Sequence, residues 1–481
     1  MMETTKSAAG TMGFLVDGRW HCEGEESDVL APYDGRVVAR IFRATPAHVE
    51  AAIAASVRAF ETTRKLPSHQ RQRLLRAAAE GIAGRQEEIA RTLALEAAKP
   101  IRLARLEVER AIFTFQIAAE EATRIGGEWL PLDLQPATTG RWAMVRRFPI
   151  GPIASITPFN FPLNLVVHKV APAMAAGCTV VHKPPPQTPI CSLLLAQIVQ
   201  EAGWPDGALN VLPLSNADAE PLVTDDRLKM LSFTGSATVG WELKKKAGKK
   251  RLTLELGGNA GVIVHEDADL AYAAERCAQG GFAYAGQTCI SVQRILVAHR
   301  VFDKFLAEFV PRVRKLQVGD PLDEATDVGP MVSEAAARRA AEWIAEAING
   351  GAKLLCGGDR RGGLMEPTVL TGTKPEQRVN CQEIFAPVAT VEPYEDFEAA
   401  LGRVNDSPYG LQAGVFTRDA QLIFRAYEEL QVGGVIIGDV PSFRIDHMPY
   451  GGVKDSGLGR EGLRYAIEEM TERKLLVMNL R

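Results

Sequence analysis

An α/β fold follows from two features of this 481-residue chain. Short β-rich runs alternate with helix-length segments twice, first over 153–233 and again from Gly261 to about Val440. Such alternation marks parallel strands joined by crossover helices. Two further strand-like segments stand apart from both units: EWLPLDLQPATTGRWAMVRRFPIG, read as strand, turn and strand, and KLLVMNL at 474–480. With no partner nearby in either unit, they are expected to pair with each other and with another subunit.

The opening MMETTKSAAGTMGFLVDG lacks the basic start and compact apolar core of a secretory signal and reads as a short frayed tail. Thr45 is a candidate N-cap and Pro46 suits a first helical turn, with Val49, Ile53, Val57 and Phe60 lining one face. Helical patterns continue over 68–96 and 101–125. The β-rich runs of the first alternation are 153–157, 179–182, 209–212 and 230–233.

At 46% apolar and 24% charged residues, the balance is that of a soluble globular chain. A formal net charge of −4 gives no argument for nucleic acid or an anionic membrane surface as a partner. No uninterrupted apolar stretch has membrane-spanning length. The seven cysteines are scattered, with no Cys-x-x-Cys pair, which fits a reducing cytoplasm better than a disulfide framework. The eight histidines never form His-Glu-x-x-His, so no metal site is expected.

The residues that carry chemistry are Cys289, in FAYAGQTCISVQR, and Glu255, upstream in KKRLTLELGGNA. A thiol can attack a carbonyl, and a carboxylate can then activate the water that removes the acyl group. Alone, each has a blander reading: a small buried cysteine, or a glutamate in a turn. A Gly-x-Gly-x-x-Gly fingerprint is absent. FTGSATVG stands in its place at the end of a predicted strand, with Gly235 and Gly240 framing a helix start suited to a phosphate.

Six runs occur in order: TPFNFPLN, FTGSATVG, LELGGN, GQTC, EIFAPV and PYGGVKDSG. Together they resemble the aldehyde dehydrogenase family, over roughly 16–478. The resemblance implies two Rossmann-like α/β domains, one for the cofactor and one catalytic, plus a β-strand oligomerisation arm. On this reading residues 1–126 and 145–254 form the NAD(P)-binding domain and 255–445 the catalytic domain. Residues 127–144 and 463–481 form the arm, and 446–462 return to the cofactor domain. The arm implies a homodimer or homotetramer.

By the same resemblance, Thr157, Pro158, Phe159, Gly235, Leu256 and Gly257 border the cofactor. Ser236 meets the pyrophosphate, Lys183 the adenine ribose, Glu383 the nicotinamide ribose, and Phe385 packs near the nicotinamide. NAD-preferring members carry Glu three positions after that lysine; here the position is Pro186. Without that carboxylate a 2′-phosphate is not repelled, so NAD and NADP both stay open as cofactors. Ala386 stands where the family usually has Gly.

The implied chemistry is oxidation of an aldehyde to its acid. Cys289 adds to the carbonyl, and the Asn160 amide and the Cys289 N–H hold the oxyanion. Hydride loss gives a thioester, and Glu255 activates the water that hydrolyses it. Lys169 is either a proton relay or a helix-end charge. The substrate pocket should draw on Arg110, Phe161, Thr288, Ile290, Phe443 and Arg444. The two arginines could bind an anion or form structural salt bridges. Phosphonate-binding members have a basic residue before the cysteine and a histidine after the asparagine; Thr288 and Phe161 occupy those places. The nearest texture is the branch of lactaldehyde, phosphonoacetaldehyde and non-phosphorylating glyceraldehyde-3-phosphate dehydrogenases. Two other readings compete: a cofactor-free, Cys-dependent esterase-like hydrolase, and a non-catalytic relative.

Overall fold

The computed structural model describes residues 10–479. Its first sheet has eight strands, with a parallel centre in the order Leu209–Val211, Thr179–Lys183, Pro152–Ile156, Met230–Thr234, Arg251–Glu255. The strands Pro152–Ile156, Thr179–Lys183 and Met230–Thr234 are buried at every position. A parallel sheet covered on both faces by helices buries its central strands in this way. The order reverses beside Pro152–Ile156, whose neighbours are Thr179–Lys183 on one side and Met230–Thr234 on the other. A crevice opens at such a reversal, outside the carboxyl ends of the strands. The loops starting at Thr157 and Gly235 lie there.

The second sheet runs Lys353–Cys356, Thr368–Thr371, Val388–Tyr394, Val292–Ala298, Ala260–Val264, Gln412–Phe416, Gly434–Ile437. All its pairings are parallel except the first. A third, three-stranded antiparallel sheet joins Thr471–Asn479 to Arg141–Pro149 and that strand to Glu128–Pro131. The two isolated segments therefore do pair with each other. Their outer residues Leu475, Leu476 and Val477 stay about half exposed, and Trp129 stacks on Trp142 at 4.2 Å. The strand Arg141–Pro149 continues past residue 144, where the arm was expected to stop.

The expected frayed tail is overturned in part. Phe14–Val16 is a buried strand one in from the edge of the first sheet, between Leu209–Val211 and the edge strand Arg19–His21. Its three apolar side chains are all buried; residues 1–9 lie outside the described residues. Thr45 and Pro46 do open the helix Pro46–Thr63, but Val57 is 38% exposed. The buried stripe runs instead through Val49, Ala52, Ile53 and Ser56, whose small side chains allow close packing; the Ser56 hydroxyl donates to Thr179 Oγ1. The pattern over 68–96 divides into Ser68–Gly84 and Gln86–Glu96, and the next helix is Ile101–Glu121. No helix among the described residues is long and apolar enough to cross a membrane.

Candidate active site

A cavity of about 720 Å³ lies between the two sheets and collects residues from both. Glu255 enters it from the end of the strand Arg251–Glu255. Cys289 enters from a loop that precedes the strand Val292–Ala298. The turn before Cys289 is unusual: Tyr284, Ala285 and Gly286 all have left-handed φ, near 53°, 52° and 66°. For Tyr and Ala this is strained backbone, held here by packing. The Tyr284 hydroxyl donates to the Ala97 carbonyl at 2.8 Å, and a side chain at Gly286 would strike the Ala386 carbonyl.

The glycines after Glu255 are required by close approach. A Cβ at Gly257 would collide with the Glu383 carboxylate, and one at Gly258 with the Cys289 carbonyl. The Gly258 N–H donates to Glu383 Oε1 at 2.9 Å. Burial raises the Glu383 carboxyl to about 7, and that N–H opposes the rise.

Cys289 lies against Ile290, Leu411 and Tyr450. Burial pushes its thiol up to about 12, against a contact with the Tyr450 hydroxyl. The Glu255 carboxyl is raised well above its ordinary value, first by burial and then by Glu461; Arg444, Lys169 and Arg460 oppose this. Neither Glu255 oxygen has a hydrogen-bond partner among the described residues. Such a group is poised to take a proton. The Asn160 side-chain N–H donates to the Gln287 carbonyl at 3.0 Å, so the amide reaches the loop of the nucleophile.

Lys169 is corrected on one point. It lies within the helix Asn164–Ala176, fully buried, and not at a helix end. Its ammonium donates to Thr234 Oγ1 at 2.8 Å and to Glu461 Oε1 at 3.1 Å. Burial works against the Glu461 charge, yet Lys169 and Arg444 hold that carboxyl down to about 2.

Arg110 and Arg444 both line the cavity, and both are ion-paired. Arg110 binds Asp446 with two nitrogens, at 2.6 and 3.1 Å, and Asp446 also meets His168 Nε2 at 2.8 Å. Arg444 donates to Glu461 Oε2 at 3.0 Å, while its buried Nε has no partner among the described residues. Phe161 covers the ammonium of Lys99, 3.6 Å from its ring centroid, and Lys99 is paired with the equally buried Glu107. Thr288 and Ile290 line the same space. Phe443 is 46% exposed and does not: the strand-to-loop turn points Ser442 and Arg444 inward instead.

Pro158, Phe159, Gly235, Ser236, Leu256, Gly257, Glu383 and Phe385 line the other end of the cavity. Phe159 and Phe385 meet edge to face, and Phe385 carries the local strain at φ 51°. Ala386 needs no left-handed backbone, so its extra methyl is tolerated. Thr157 and Lys183 sit behind this wall. Lys183 is buried with only the Pro184 carbonyl at 3.3 Å, and burial lowers its ammonium to about 8. Pro186 is exposed.

Residues 20–476 match the model of the aldehyde dehydrogenase family. The chain belongs to that family. The 3-sulfolactaldehyde dehydrogenase of Priestia aryabhattai is 46% identical over 469 residues, 97% of this chain and 98% of the relative. The crystal structure of aldehyde dehydrogenase 21 from Physcomitrella patens, in complex with the reaction product succinate, superposes with a TM-score of 0.96. It is 44% identical and covers 97% of this chain and 98% of its own. A glyceraldehyde-3-phosphate dehydrogenase from Methanocaldococcus jannaschii complexed with NADP gives 0.91 at 40% identity, covering 95% and 100%.

This aldehyde dehydrogenase is thus an NAD(P)-dependent oxidoreductase. The cofactor-free hydrolase and the non-catalytic relative find no support among these matches. The residues present fit a dinucleotide: the buried Lys183 ammonium has only the Pro184 carbonyl, the buried Thr157 hydroxyl has no partner among the described residues, and Gly257 leaves room for the Glu383 carboxylate where a Cβ would collide with it. Sequence reasoning missed Tyr450, Glu461, Asp446 and His168. The run PSFRIDHMPYGG, read as part of the pocket, contains Asp446 and Tyr450, and PYGGVKDSG ends near Glu461.

Proposed function

We propose that this enzyme oxidises a short aldehyde carrying a distal carboxylate or sulfonate to the corresponding acid. The observation that carries this reading is a cavity lined by two arginines, Arg110 and Arg444, the latter with a buried Nε that has no partner among the described residues. Each guanidinium is fixed by a carboxylate yet keeps donors free for an anion, and arginine suits planar, two-point recognition. Relatives named for sulfolactaldehyde, and one holding succinate, share this chemistry of an anion at the far end.

In this reading Cys289 adds to the aldehyde carbon, while Asn160 and the Cys289 N–H stabilise the oxyanion. Lys183, Glu383 and the Gly235–Ser236 turn hold the dinucleotide, whose nicotinamide accepts the hydride when bound. The absence of an acidic side chain at Pro186 supports use of NADP. Glu255 then takes a proton from water, which releases the acid from the Cys289 thioester. Lys169 and Arg444 act on Glu255 directly and also hold Glu461 beside it. The apolar outer strand of the arm supports assembly as a homodimer or homotetramer. A cytoplasmic setting fits the odd, scattered set of seven cysteines.

The test compares kcat/KM for succinate semialdehyde and a sulfonated aldehyde with neutral aldehydes of equal length, using NADP and NAD. Arg110→Met should cost the anionic substrates about 10–100-fold, the range for one charged hydrogen bond, and neutral ones under about threefold. Equal losses for both classes would leave Arg110 as a purely structural ion pair.

A further inference from the structure

The Cys289 thiol receives no help from its sequence neighbours Gln287, Thr288, Ile290 and Ser291, none of which is charged. Across the cavity, the Tyr450 hydroxyl oxygen lies 3.1 Å from its Sγ, within the reach of a hydrogen bond to sulfur. The apolar residues packed with the thiol and the Tyr450 ring are Ile290 and Leu411. The charged groups facing the thiol are Glu383, Arg444 and Glu255. Two of these oppose a thiolate and one favours it. Tyr450 is only 3% exposed, and its ring carries the Arg444 guanidinium 3.7 Å from the centroid. A cation on the ring face draws electron density from the phenol and makes its O–H a better donor.

We infer that Tyr450 donates its hydroxyl hydrogen to the Cys289 sulfur and stabilises the thiolate that attacks the aldehyde. The inference rests on Cys289 being the nucleophile. The thiol's own proton leaves to solvent, and Tyr450 keeps its proton throughout. Burial, with Cys289 next, pushes the Tyr450 phenol well above its ordinary range, so it remains a donor across the working pH. Arg444 then serves twice, as the anchor of Glu461 and as the polariser of the ring.

The experiment follows iodoacetamide alkylation of the Cys289 peptide against pH, by mass spectrometry, in wild type and Tyr450→Phe. The phenylalanine keeps the ring under Arg444 and removes only the hydroxyl. The alkylation midpoint should rise by about one pH unit and the rate at pH 8 fall about tenfold, as expected for loss of one hydrogen bond to a charged acceptor. A midpoint that stays in place or falls overturns the inference. Should the variant fail to fold, wild-type chain carrying 3-fluorotyrosine at position 450 decides the question: its more acidic phenol should lower the midpoint, and an unchanged midpoint refutes the role. Loss of activity in step with alkylation of the Cys289 peptide tests the nucleophile separately.

Discussion

Glu255→Gln removes the proposed base and keeps its shape. Both carboxylate oxygens lack hydrogen-bond partners among the described residues, so the substitution breaks no existing bond. It also removes a negative charge that faces Glu461 across a buried space. The variant should therefore melt within a few degrees of wild type, a change of about 1 kcal/mol or less. Its chemistry should change much more. General-base catalysis contributes roughly 10²–10⁴-fold, so steady turnover should fall at least about a hundredfold. Hydride transfer precedes thioester hydrolysis, so rapid mixing with excess aldehyde and NADP should give a burst of about one reduced cofactor per chain, then a stall. The pH dependence has a definite sign. A base acts when deprotonated, and burial together with Glu461 raises the Glu255 carboxyl, so wild-type turnover should climb with pH above the ordinary carboxylate range. The variant should lose that limb. Cys289→Ala is the control, with NADP still bound but neither burst nor turnover. Unchanged steady-state turnover in Glu255→Gln would mean that another group activates the water, and the assignment would fall.

Two further outcomes follow from the cofactor end of the cavity. Pro186→Glu places a carboxylate three residues from the buried Lys183, and at an exposed site such a charge opposes a phosphate by roughly 1–2 kcal/mol. The kcat/KM ratio of NADP to NAD should drop about tenfold; a constant ratio would show that position 186 does not face the ribose. Gly257→Ala drives a methyl into the Glu383 carboxylate, which must swing away from its bond with the Gly258 N–H. KM for the dinucleotide should rise about tenfold, at an overpacking cost of roughly 1–3 kcal/mol in stability; an unmoved KM would remove Glu383 from the binding site.

What could be read from the sequence was whatever local pattern decides. The parallel strands showed because Pro152–Ile156 and Met230–Thr234 are mostly apolar, and both are buried at every position, as doubly covered strands are. Cys289 and Glu255 stood out because they lie in two of six family-like runs that occur in order, GQTC and LELGGN, whose glycines close backbone contact demands. Phe14–Val16 was misread because three apolar residues are too few to show a period, and only their pairing with Leu209–Val211 and Arg19–His21 explains them. Val57 was assigned inward because hydrophobicity outweighed size, whereas the strand Thr179–Lys183 comes near enough to select Ala52 and Ser56. Tyr450, Asp446 and Glu461 stayed hidden for a different reason. Each matters through a partner that lies hundreds of residues away or across a return of the chain: Cys289, Arg110 and Lys169. Polar residues in a loop carry no local sign of such partnerships.

Residues 450–461 lie along a stretch whose short strand Gly457–Leu458 pairs with Leu254 and Glu255 at the edge of the first sheet. On the ribosome, Cys289 and Glu255 therefore emerge well before the groups that surround them. Until that stretch arrives, Glu255 is on a bare sheet edge, wetted by solvent, and the thiol lacks Tyr450. A half-made chain thus has a nucleophile and a base that are not yet tuned to each other, and its backbone edge is still unpaired. Competence comes in one late step, when a single hairpin-like return delivers donor, counter-charge and covering strand together.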